Sequence, residues 1–99
     1  MDSMLSLQDL RSKRGAILAC AKGHGARKLR VFGSVSRGEE EAHSDVDFLV
    51  RYEPERSLID HIQLIEELAA LLQVDVDVVS EEALSPYARD TILREAVDL

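Results

Sequence analysis

Two strand-like runs, 45–52 and 74–79, stand on either side of a long helical stretch, and this arrangement constrains the fold more than any other feature. A helical crossover returns the chain to the end from which it started, so the two strands it joins run parallel. An earlier strand, Lys28–Phe32, reaches the second through a shorter polar segment and is expected to pair with it antiparallel. A helix opens at Ser6, with Asp9 three residues on as a capping partner, and stops by Gly23-His24-Gly25. A brief helix is expected from Ser34 to about Gly38, a long one follows Ser57, and Ser85-Pro86 opens the last in cap-then-proline order. That last helix is read with Ile92, Leu93, Ala96 and Val97 as its apolar face. The order is α-β-α-β-α-β-α. It predicts one α/β domain of α+β type over residues 1–99, with a three-stranded mixed sheet, the second strand central, and about four flanking helices.

The polar residues on these strands are acidic. Successive strand residues point to opposite faces, so Val46, Phe48 and Val50 face the helices while Asp45, Asp47 and Leu49 face the other way. Asp75 and Asp77 likewise share a face of the third strand, and spacing alone does not choose between them. Carboxylates crowded without a basic partner repel unless a cation lies between them, and oxygen-only clusters suit Mg²⁺. Just upstream, Gly33-Ser34 forms a turn where backbone can approach a ligand and offer N–H groups to phosphate.

These residues carry a resemblance. Gly33-Ser34-Val35-Ser36-Arg37-Gly38, then Ser44-Asp45-Val46-Asp47 with Phe48-Leu49-Val50, resemble the GSxxRG…SDxDxxV signature of minimal nucleotidyltransferases of the DNA polymerase β-like superfamily. The helix after Pro54, the strand Val74–Val79 and Ala83-Leu84-Ser85-Pro86 extend the resemblance over nearly the whole chain. It implies a nucleotidyltransferase palm in which Asp45, Asp47 and Asp77 are the catalytic, metal-binding carboxylates for two Mg²⁺ ions. Asp77 is preferred over Asp75 by matching the family's VD[LV]V segment. The resemblance also implies that Gly33, Ser34, Arg37 and Ser44 form the nucleotide-binding set, with Ser44 orienting Asp45. Arg37 is read as placed near the triphosphate or bracing the acidic loop, against the plainer reading of a surface ion pair.

Relatives that modify antibiotics or tRNA add domains to hold the acceptor; this chain has none to spare, so the acceptor is expected to be a partner or the protein itself. Minimal members of the family commonly accompany a small helical HEPN toxin and act as its antitoxin, some by placing AMP on a toxin tyrosine. The resemblance therefore implies AMP transfer from ATP to a partner's hydroxyl within a hetero-oligomer. The alternative is a non-catalytic binding module that neutralises a toxin sterically.

Charge and composition narrow the choice further. A net charge of −7 gives no general attraction to a nucleic acid backbone, so no direct nucleic acid partner is expected. Cys20 alone excludes an internal disulfide and suits a reducing cytoplasm, and no apolar run approaches the ~18 residues of a membrane span. The stretch 57–72 has apolar residues over more than half of its helical circumference, predicting either extra core beneath the last helix or a protein interface. His24 and Glu39–Glu41 read as solvated loop residues, His43 as part of a linker, and His61 as a histidine at the edge of the core or interface.

Overall fold

The computed structural model describes residues 5–38 and 45–99. The Ser6 hydroxyl accepts from the Asp9 N–H at 3.1 Å, and the Asp9 carboxylate accepts from the Ser6 N–H at 2.9 Å. This capping box opens helix α1, Leu7–Ser12. Ser12 then turns its hydroxyl back onto the Asp9 carbonyl at 2.6 Å, and Lys13 leaves helical geometry. A second helix, α2, runs Arg14–Gly23, so the single helix expected from Ser6 is two. Local serine-to-carbonyl bonding competes with the helical ladder in this way. Leu10 and Ile17, one in each piece, are both fully buried.

Strand β1, Ala26–Phe32, pairs antiparallel with β2, Val46–Tyr52, matching Phe32 to Asp47 and Val31 to Phe48. Helix α3, Leu58–Leu72, opens on a second capping box, Ser57 with Asp60, and ends where Gln73 turns left-handed at φ 59°. It returns the chain to β3, Val76–Ser80, which lies parallel to β2 in the register Asp47 to Asp77. A 3-10 turn at Glu81–Ala83 leads to α4, Pro86–Glu95, with the Ser85 hydroxyl accepting from the Ala88 N–H.

The sheet has four strands rather than the expected three, in the order β3-β2-β1-β4. Helical spacing groups Val97 with Ile92 and Leu93, but α4 stops at Glu95. Ala96 takes an extended conformation (φ −66°, ψ 132°), and Val97–Asp98 become β4, antiparallel to β1. Pairing Val97 with Val31 and burying Leu99 gives these apolar residues more cover than another helical turn on the surface. The Ser34–Gly38 segment is also not a helix. It is a turn, with the Arg37 N–H donating to the Gly33 and Ser34 carbonyls and the Gly38 N–H to Val35.

The core lies on one side of this sheet. Val46, Phe48 and Val50 meet Leu64, Leu68 and Leu72 of α3, together with Leu10, Ile17 and Ala21. Leu58, Ile59 and Ile62 stay 71%, 65% and 46% exposed, so the surplus apolar surface of α3 is not extra core. His24 is not solvated either: its ring contacts Glu67 and lies 3.8 Å from Asp60, tying the end of α2 to α3. His61 meets the Tyr52 hydroxyl through Nδ1 at 2.8 Å, at the edge of the core as expected.

Candidate active site

The second face of the sheet carries the acids. Asp47 sits one residue into β2, and because β3 is parallel and in register its direct neighbour is Asp77. Asp45 lies just before the strand on the same face. Asp75 precedes β3, where its carbonyl accepts from the Val46 N–H at 3.1 Å, so it stands level with the mouth of β2 rather than opposite Asp47. The register thus sets Asp77, not Asp75, beside Asp47.

Asp47 is half-buried while Asp45 and Asp77 are exposed. Burial pushes its carboxyl up from 3.8 to about 6, the charges of Asp77 and Asp45 push in the same direction, and Arg37 opposes them. A carboxyl raised by burial and by two neighbouring acids is one that a cation held between them would return to its ionised form. The donors are all carboxylate oxygens, which fits a hard divalent ion such as Mg²⁺. Among the described residues, no three carboxylates, histidines or cysteines already converge as a ligand cage.

The Gly33 turn closes over Asp47. Gly33 has φ +77°, and a Cβ built there would overlap Asp47 Oδ2. Only glycine lets the backbone lie this close, and its positive φ would strain any other residue. The Ser36 hydroxyl donates to the Gly33 carbonyl at 2.8 Å and tightens the turn.

Of the expected site residues, the structure brings together Gly33, Ser34, Arg37, Asp45, Asp47 and Asp77; Ser44 lies outside the described residues, as do His43 and Glu39–Glu41. Arg37 is exposed, and its Nη1 donates to Glu95 at 2.9 Å. Glu95 is the residue that the sequence pattern missed. Its only signal was the β-branched Val97 beyond it, too short a run to read as a strand.

A parallel carboxylate pair beneath a glycine–serine turn, at the start of a mixed sheet backed by helices on one face, defines a nucleotidyltransferase palm. Residues 16–99 match the nucleotidyltransferase domain family, and the chain belongs to it: the protein is a nucleotidyltransferase. It is 41% identical over 100 residues to the protein adenylyltransferase MntA of Thermococcus cleftensis, covering 96% of this chain and 97% of that one. A solved minimal nucleotidyltransferase is 48% identical and superposes with a TM-score of 0.86, covering 96% of this chain and 97% of the other. A chain of a mutant MntA toxin–antitoxin complex is 25% identical with a TM-score of 0.72, over 87% of this chain and 70% of that one.

Proposed function

We propose that the protein transfers AMP from ATP to a hydroxyl of a partner protein, and that the partner is a HEPN-type toxin held with it in a hetero-oligomer. The observation that carries the reading is the Asp47–Asp77 register beneath Gly33. The acceptor follows from the relatives: one similar over nearly its whole length is named a protein adenylyltransferase, and another is paired with a toxin.

Asp45, Asp47 and Asp77 would hold two Mg²⁺ ions, which when bound neutralise the triphosphate and stabilise the entering and leaving oxygens. The chain itself supplies the rest. Gly33 and Ser34 present backbone amides to the phosphates, and Arg37 adds a positive charge. Asp77, exposed on the sheet face, receives the proton of the attacking hydroxyl. That hydroxyl oxygen bonds to the α-phosphorus, the bond from the α-phosphorus to the bridging oxygen breaks, and pyrophosphate departs. The cytoplasm supplies both ATP and the reducing conditions that suit an unpaired Cys20.

A steric, non-catalytic neutralising role has its own support in the apolar strip of Leu58, Ile59 and Ile62. The experiment is incubation with α-labelled ATP, Mg²⁺ and host lysate beside an Asp47→Ala control. A labelled protein band lost in the control supports adenylyl transfer. A stable copurifying partner that never takes label, but is still neutralised by a variant with all three acids replaced by alanine, would favour the steric role.

A further inference from the structure

We propose that the outer edge of β3 is a docking site for an extended segment of a partner protein, one that alternates apolar and basic side chains and adds to the four-stranded sheet as a further strand.

β3 ends the sheet, and among the described residues no strand pairs with its far side. The Val46 N–H donates to the Asp75 carbonyl, and backbone groups alternate in direction along a strand. Asp75, Asp77 and Val79 therefore turn theirs towards β2, while Val76, Val78 and Ser80 turn theirs outward. Val76 and Ser80 are half-exposed and Val78 is buried. Such a row of main-chain donors and acceptors is a template for another strand.

Helix α3 overhangs the same edge. Its Leu64, Leu68 and Leu72 fill the core, and α2 flanks one side of it through the contact of His24 with Glu67. On the other side, helical spacing lines up Leu58, Ile62, Ile65 and Ala69. Leu58 and Ile62 are exposed, so the apolar face of α3 is wider than the sheet beneath it. Under Leu58 lies a groove of about 460 Å³ whose lining includes Tyr52, His61, Val78, Ser80 and Ala83. The Tyr52 hydroxyl and His61 Nδ1 bond each other at 2.8 Å, which leaves a mainly apolar floor. Every second side chain of an added strand points to that floor.

Charge decides the occupant. Arg56 lines the groove, but Glu53 and Asp60 already engage it. Asp75 at the start of the edge and Glu66, one turn beyond Ile62, are exposed acids. Lys or Arg on the remaining positions of the segment complement this rim. A second copy of β3 does not. Antiparallel pairing centred on Asp77 sets that residue against its own copy, and pairing centred on Val76 sets Asp75 against Asp77. Centring on Val78 sets Asp75 against Glu81, and centring on Val79 sets Asp77 against Glu81. Like charges directly opposite destabilise a strand pair.

The probe is a fluorescent octapeptide of alternating valine and lysine, titrated onto the full chain by anisotropy beside a block sequence of the same composition. Strand addition predicts that the alternating peptide binds roughly tenfold or more tightly than the block sequence. A variant carrying both Leu58→Lys and Ile62→Lys, exposed positions whose folding a thermal melt checks, should lose that difference, and Asp75→Lys should weaken binding. N-methylation of one alternate set of peptide amides should abolish binding and methylation of the other set should spare it. Amide exchange should slow at Val76, Val78 and Ser80 and stay unchanged at Asp77 and Val79, which already face β2. Equal binding of the two sequences, indifference to methylation or equal loss from both sets overturns the proposal, as does no binding at millimolar peptide. A dimer of the wild type that Leu58→Lys dissolves would give the edge to a second copy and overturn it too.

Discussion

The two faces of β2 are made of adjacent residues with opposite physical roles. Val46, Phe48 and Val50 are at most 1% exposed and sit in the core beneath α3. Asp47, between the first two, is half-buried on the other face against two more acids. One face stabilises the domain through apolar burial; on the other, Leu49 is buried too, but the acids at the start of the strand work against stability through crowded like charge. The site therefore draws on stability supplied a single peptide away. Substitutions of the acids should raise stability and remove activity, and substitutions on the apolar face should lower stability and leave the chemistry of the folded fraction intact.

The largest effect is expected from the acids themselves. Asp47→Asn or Asp77→Asn should bring AMP labelling down to background while the protein stays folded, as a labelling gel read beside a thermal melt will show. Gly33→Ala comes next. It combines a strained positive φ, about 1–3 kcal/mol, with a collision against Asp47, so both activity and stability should fall. On the apolar face, Leu68→Ala should cost about 2–5 kcal/mol in a denaturant titration and leave nucleotide affinity unchanged in whatever fraction is folded. The smallest structural effect is Ser57→Ala, which removes the α3 cap for about 1 kcal/mol, read in the same titration.

The comparison also has a pH signature. The Asp47 carboxyl titrates at about 6 in the folded protein against an ordinary value of 3.8, so the folded state binds its proton more tightly than the unfolded state does. Its contribution to stability is therefore greatest below 3.8 and is lost as pH rises towards about 6. In the presence of a chelator, melting temperatures across that window should fall less with rising pH for Asp47→Asn than for the wild type.

Much of the fold was legible because its signals were local. The strands 45–52 and 74–79, the helix between them and the consequent parallel pairing are found where alternation and the Ser57 cap indicate, with β3 shifted to Val76–Ser80. The acid face was legible for the same reason, since period-2 alternation places Asp45 and Asp47 together before any fold is known. What escaped was non-local or very short. The split at Lys13 depends on one serine bonding backwards, and β4 is a two-residue strand that exists only because β1 offers it an edge. Glu95 was invisible with it, because nothing in its own surroundings in sequence says that it will meet Arg37. Spacing left Asp75 and Asp77 open and the resemblance preferred Asp77, the residue that the strand register sets beside Asp47.

The most direct test is thermal unfolding of wild type and Asp47→Asn at pH 7, each with chelator alone and with Mg²⁺ and AMP-PNP. The opposition of the two faces predicts that Asp47→Asn melts higher than wild type in chelator and gains little from Mg²⁺ and nucleotide, while the wild type gains strongly. A variant that melts lower in chelator, or that gains as much as the wild type, would contradict it.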